Sequence, residues 1–369
     1  MTDDRCYCLR ERDASALKTH TEGADKINMR GLILLLAAVL FAALPGRPQT
    51  AAPLTFMQTI EMPGVPWGPY TDHLAVDLKG HRLFTTPQAH HSVQVFDLST
   101  GKLLHEIADL GNAHAVAYRS DLDRIYIVDG EPGLVRSFDG RDYHALQTVK
   151  LRQNADSMTS DREAKLMYVA NGGEEAHEDF SFVSVIDASP MKNVADIKIE
   201  ASVPEQMALA DREPRLYVDI TDKNEVGVID SEKRTVVATW PITKGQKPIA
   251  IALDEAHHRL FIGCRNTDME GAIVVFDTQT GKEVGAFPVG GWVDYLGFDA
   301  STGRLYATCG TGYVYVFQRR DPDHYDLAAK AETAVMAKTG LLVPELHRFF
   351  VSVPHLGGTP AKVLVFETK

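Results

Sequence analysis

The sequence predicts an all-β fold: a seven-bladed β-propeller of four-stranded antiparallel blades, its ring closed by an N-terminal strand that completes blade seven. Three observations predict it. A basic-apolar-aromatic step recurs as Arg82-Leu83-Phe84, Arg124-Ile125-Tyr126, Lys165-Leu166-Met167, Arg215-Leu216-Tyr217, Arg259-Leu260-Phe261, Arg304-Leu305-Tyr306 and Arg348-Phe349-Phe350, at intervals of 42, 41, 50, 44, 45 and 44 residues. A second apolar run follows each step, at 93–97, 135–139, 183–187, 226–230, 273–277, 314–318 and 363–367. A period of this length carrying several short strands is the mark of propeller blades. Lastly, the seventh unit stops after its third strand, while Thr55 to Met62 reads as a strand with no blade of its own.

The clearest unit is Leu253 to Lys282. Arg259 to Ile262 has the aliphatic and aromatic composition that fits a pleated, half-buried surface. A polar loop, Arg265 to Gly271, leads to a second strand, Ala272 to Phe276, and then to the turn Thr278-Gln279-Thr280-Gly281-Lys282. Two such strands cannot bury an apolar face alone, so the unit has to be repeated. In the first unit the four strands, a to d, fall at Leu74 to Asp77, His81 to Thr86, Ser92 to Asp97 and Leu103 to Ile107. Later units begin near Gly111, Gln153, Ser202, Gly245, Gly291 and Thr333, and the third is lengthened by an insertion at Gly172 to Phe180. Seven units account for nearly all of the 317 residues from Pro53 onward, as one domain. Pairing Thr55 to Met62 with the run 363–367 closes the ring and leaves only short, protected edges.

Met29-Arg30, the apolar run Gly31 to Leu44 and the small residues Thr50-Ala51-Ala52 describe a signal peptide over 29–52 that is too short to span a bilayer. Residues 1–28 read as a polar extension or as sequence upstream of a mis-assigned start, with translation beginning at Met29. The mature chain is expected to be exported, periplasmic or extracellular, without a stable membrane anchor, and monomeric. Hydrophobic residues make up 44% of the chain, ample for a core, and the formal charge of −12 argues against nucleic acid as a partner.

Cys264 and Cys309 occupy matching places in units five and six. An oxidising compartment permits a disulfide, but matched strands of adjacent blades stand too far apart for its geometry, which favours two buried thiols. There is no Cys-x-x-Cys-His for covalent haem.

At this point the residues resemble a known family, the YVTN-type β-propeller repeats that include YncE-like exported bacterial proteins. Tyr168-Val169-Ala170-Asn171 approaches the signature tetrad, with Tyr217-Val218-Asp219 and Phe261-Ile262-Gly263 less close, and Asp97-Leu98-Ser99-Thr100-Gly101-Lys102 fits the closing turn. The resemblance covers Pro53 to the C-terminus. It implies the propeller fold and a binding or scaffolding role, and its motifs, being structural, are nearly silent about chemistry.

Antiparallel pairing puts the loop before strand a and the b–c loop on one face, called the top, where strand a meets the central channel. Counting back from each basic marker places Asp72/His73, His114/Ala115, Ala155/Asp156, Glu205/Gln206, Ile249/Ala250, Asp294/Tyr295 and Lys338/Thr339 at the channel mouth. Blade five alone offers only apolar residues there. The b–c loops add His90, His91, Asp129, Glu131, Glu174, Asp222, Arg265 and His355. Converging ionisable groups in a concavity mark a binding site, whereas a solvated polar funnel would hold the same residue types. The ligand-site candidates are therefore Asp72, His73, His90, His91, His114, Asp156, Glu205, Gln206, Arg265, Asp294, Tyr295 and His355.

Two functions follow. The first is a non-enzymatic binding or scaffold protein, holding a small molecule, peptide or protein on the top face, with no firm cofactor and no catalytic residue. The alternative is a metal-dependent hydrolase, resembling propeller lactonases, with His73, His114, Asp156 and Glu205 around a divalent ion that polarises an ester carbonyl or activates water. A redox subunit has no cofactor motif behind it. Glu174 to Asp179 and His257-His258 read as solvated surface, and no Gly-x-Ser-x-Gly elbow or phosphate loop is present.

Overall fold

A computed structural model describes residues 52–161 and 163–369. The expected signal peptide and the polar segment before it lie outside the described residues, save Ala52. Within them the chain forms seven four-stranded sheets, and in six of these the strands pair in chain order. The innermost strands are Leu74–Asp77, Ala113–Arg119, Met158–Asp161, Pro204–Leu209, Pro248–Asp254, Val293–Asp299 and Thr339–Val343. Blade five continues through Arg259–Cys264 and Glu270–Asp277 to Lys282–Gly290.

Blade seven is the exception in strand order. Its outermost strand is Leu54–Glu61, paired antiparallel to Lys362–Thr368 with Leu54 opposite Thr368 and Ile60 opposite Val363. The closure read from the sequence is thus present in the structure. Ile60 is buried with Val363, Val365 and Phe350, so apolar contact as well as strand pairing holds the two ends together.

The burial gradient explains why the seven sequence steps look alike. The second strand of each blade lies between sheets on both faces. Arg259–Cys264 is buried at every position after the first, whereas the outer strand Lys282–Gly290 alternates exposed and half-buried along most of its length. Apolar clusters fill the wedges between neighbouring blades. One of them sets Phe261 edge-on to Tyr325, ring centroids 5.1 Å apart.

The closing turn has a local cause. Asp277 Oδ1 accepts from the Gln279 N–H (3.0 Å), the Thr280 N–H (2.9 Å) and the Thr280 hydroxyl (3.0 Å). Gly281 follows at φ 68°, the left-handed region that glycine enters without cost. Asp97, Thr100 and Gly101 repeat the arrangement.

Cys264 and Cys309 are both free and buried, and burial pushes the Cys309 thiol up to about 12. Neither is a reactive thiolate at neutral pH.

Candidate functional site at the channel mouth

The top ends of the innermost strands surround a cavity of about 350 Å³ to which every blade contributes a polar side chain. Blade one supplies Asp72 and His73, blade two His114 and blade three Asp156. Glu205 and Gln206 come from blade four, Arg265 from blade five, Asp294 from blade six and Lys338 from blade seven. Eight of the twelve expected residues are therefore brought together.

The other four are held elsewhere. Tyr295 follows Asp294 on a pleated strand, and alternation turns it the other way. It packs between blades six and seven, where its hydroxyl accepts the Leu342 N–H (2.8 Å) and its ring lies 6.0 Å from Phe349. His90 turns towards the outer strand of its own blade, with Nδ1 2.7 Å from the Ser92 hydroxyl and 3.7 Å from Glu106. His91 donates to the Gly111 carbonyl and lines a neighbouring cavity of about 460 Å³. His355 donates to the Val65 carbonyl at 2.9 Å. Counting positions could not resolve these, because the b–c loops turn back on themselves: His91 itself sits at φ 54°.

On the side formed by blades one to three, His114 Nδ1 lies 3.0 Å from Asp72 Oδ2 and 3.2 Å from Asp156 Oδ1. The Gln88 amide donates to the same Asp72 oxygen at 2.8 Å. Burial alone would depress the imidazole, but Asp156 and Asp72 outweigh it and hold its pKa at about 11. Asp72 is pulled down to about 2, since His73, His114 and Lys338 together overcome the upward push of burial. This side holds an imidazolium between two carboxylates.

The side formed by blades five to seven has the opposite make-up. Arg265 and Lys338 share a single carboxylate: the guanidinium pairs with Asp294 Oδ1, and Lys338 Nζ lies 2.9 Å from Oδ2. Arg265 Nε also donates to the Val293 carbonyl (3.1 Å), and its guanidinium lies 5.3 Å from the Trp292 ring. Burial and the adjacent Arg265 draw Lys338 below the usual lysine range.

Glu205 stands between the two sides. Burial, reinforced by Asp156, pushes its pKa up to about 8, against the pull of Arg265 and Lys338. Behind it, on the second strand of blade four, Asp219 is fully buried, and neither carboxyl oxygen has a hydrogen-bond partner. Burial, then Glu205, raises the Asp219 pKa well above its ordinary carboxylate value. Strand composition gave no hint of this, because an aspartate in a run such as Arg215–Ile220 reads as a strand end.

Metal-ligand geometry favours a different set from the one expected. Asp72, His114 and Asp156 have ligand atoms within 4.8 Å of one another, and neither His73 nor Glu205 belongs to that group. Asp72 takes their place. The arrangement explains itself without a metal, since a protonated imidazole satisfies both carboxylates. At neutral pH an ion would have to displace the proton that Asp156 and Asp72 hold on the imidazole.

A closed ring of seven four-stranded blades defines the chain as a seven-bladed β-propeller, here with a charged central mouth. No family model matches its sequence, and no curated protein does. Solved structures match in fold. A chain of Kuenenia stuttgartiensis hydrazine synthase superimposes with a TM-score of 0.69 at 17% identity, over 81% of this chain and 96% of that one. A chain of the mitotic checkpoint complex gives 0.70 at 15%, over 93% and 99%. The RRP9 WD40 repeats give 0.71 at 12%, over 86% and 98%. At such identities the likeness is one of fold.

Proposed function

We propose that the chain is an exported, non-enzymatic binding module that holds a small polar ligand at the top mouth of its channel. The observation that carries this reading is that all seven blades place a polar side chain on one cavity of about 350 Å³, with Arg265, Lys338, Asp294, Asp72 and His114 already tied in place by ion pairs. Groups held in this way lose little freedom when a ligand arrives, which is the chief requirement for tight binding by a preformed site. The scaffold role of propellers supports the same reading by analogy of fold. The Tyr168-Val169-Ala170-Asn171 tetrad and the Asp-to-Gly turns support membership among YVTN-type exported propellers, and the 29–52 segment supports export.

Two measurements test the proposal. N-terminal sequencing of the secreted chain is expected to begin close to Pro53; a mature protein that retains residues 29–52 overturns export. Thermal melting with a panel of amino acids, dicarboxylates, polyamines and phosphate is expected to show a rise in Tm for at least one probe. That rise should be absent in Asp294→Asn. A panel that leaves the wild type unmoved overturns small-ligand binding at the mouth.

A further inference from the structure

The two sides of the mouth do not balance their own charges. Asp72 and Asp156 surround one imidazolium, and His73 Nε2 lies 3.6 Å from Asp72 Oδ1, so with His73 neutral this side keeps one negative charge in excess. Arg265 and Lys338 surround one carboxylate, leaving one positive charge in excess, and among the described residues neither cation has a second ion-pair partner. Buried charges are normally compensated. Glu205 stands between the poles, and burial raises its pKa, which weakens its claim on the positive end.

The poles are close together. The Thr339 hydroxyl lies within hydrogen-bond distance both of Asp294 Oδ2 (3.2 Å) and of the carbonyl of Thr71, the residue before Asp72 (3.3 Å). Each pole also keeps bonding capacity. Asp156 turns Oδ1 to His114 and has Oδ2 to offer, and two of the three Lys338 N–H groups remain beyond the one on Asp294. Beside the positive pole a recess of about 290 Å³ opens, sharing Glu205 and Arg265 with the mouth; Ile249 and Trp292 form its apolar wall, and Thr221, Lys247, Thr267 and Asp268 complete its lining. It lies at blade five, whose mouth position is apolar where the others are polar.

We propose that the mouth recognises a small zwitterion with an apolar side chain, an α-amino acid of the leucine class. Its ammonium lies against Asp72 and Asp156, its carboxylate lies against Arg265 and Lys338, and its side chain enters the recess of Ile249 and Trp292. This rests on the reading of the mouth as a ligand site and names the ligand's chemistry. A dication meets the excess positive charge of Arg265 and Lys338, a dianion meets that of Asp72 and Asp156, and a zwitterion alone answers both.

Titration calorimetry tests it with three probes of one shape: leucine, 4-methylpentanoate, which lacks the amine, and 3-methylbutylamine, which lacks the carboxylate. Leucine is expected to bind the wild type at least about thirtyfold more tightly than either analogue. Asp156→Asn, which neutralises the acidic pole without changing its shape, should remove the preference over 4-methylpentanoate and leave that over the amine. Lys338→Met should do the reverse. The two variants control for each other, and melting curves confirm that each is folded. Analogues that bind as tightly as leucine overturn the zwitterion. Succinate or spermidine binding that the variants abolish also overturns it, yet keeps the mouth as a ligand site. If none of the five probes binds, the zwitterion falls, and the fate of the broader reading is decided by the melting panel.

Discussion

His114 Nδ1 lies 3.0 Å from Asp72 Oδ2, although 42 residues separate the two in the chain. The contact joins blade one to blade two at the channel mouth, and together with Asp156, the larger influence, it holds the imidazole pKa at about 11.

Replacing Asp72 by Asn should therefore lower the His114 pKa by more than a unit, towards its ordinary 6.5, as followed by NMR of the ring protons. The sign for stability follows from linkage. A base whose folded pKa is raised stabilises the fold fully below about 6.5 and loses that contribution as pH rises through about 11. The wild type should accordingly lose more stability than Asp72→Asn between pH 7 and pH 11. Equal losses would show that the pair does not hold the proton.

Glu205 carries the opposite sign. Its folded pKa of about 8 lies above the ordinary 4.5, so the unfolded chain ionises first and the fold is penalised increasingly from pH 4.5 up to about 8. Glu205→Gln should match the wild type at pH 4 and melt higher at pH 8. A difference in Tm that does not change with pH would remove this account.

Asp219 offers a simpler gain. Val128 occupies the corresponding place in blade two, and Asp219 keeps both carboxyl oxygens buried without a hydrogen bond. Asp219→Val should stabilise the protein by about 1–3 kcal/mol in urea denaturation at neutral pH. A loss of stability would mean that the carboxyl has a partner, such as a buried water.

Arg82 pins blade one to blade two. Its guanidinium donates to Asp77 Oδ2 through Nε (3.0 Å) and Nη2 (2.8 Å), reaches the Gly140 carbonyl (2.5 Å), and lies over the rings of Phe84, Tyr118 and Tyr143 at 5.5, 5.2 and 5.6 Å. Lysine keeps the charge but loses the planar fork. Arg82→Lys should cost about 2 kcal/mol or more, read from the urea midpoint at unchanged slope. A cost near zero would reduce the cluster to charge alone.

Ring closure makes a prediction about connectivity. The Lys369 N–H donates to the Pro53 carbonyl at 3.3 Å, so the two ends of the ring meet. A permuted chain that carries 53–62 after Lys369 through a short linker should melt within a few degrees of the parent. Deleting 54–61 should expose Val363 and Phe366 on an open edge and cause aggregation. Light scattering distinguishes the two outcomes.

The sequence by itself determined the number of blades, the four-strand pattern and the closure by a strand read at Thr55 to Met62, which the structure places at Leu54–Glu61. Each of these follows from periodic burial, and a strand that packs between sheets has to repeat its apolar residues wherever it stands in the ring. The sequence also brought out the blade contributions to the mouth, because the first residues of strand a sit at a constant distance from the basic marker. The tertiary structure alone decided which neighbours those residues meet. It turned Tyr295 between blades and sent His90, His91 and His355 to other partners. It also replaced His73 and Glu205 with Asp72 in the group of metal-capable atoms, and it buried the Asp219 carboxyl without a hydrogen-bond partner. Orientation at a strand end depends on bulges and loop returns of a single residue, and charge state depends on burial and on partners remote in sequence, such as Asp72 for His114. Neither leaves a trace in local periodicity.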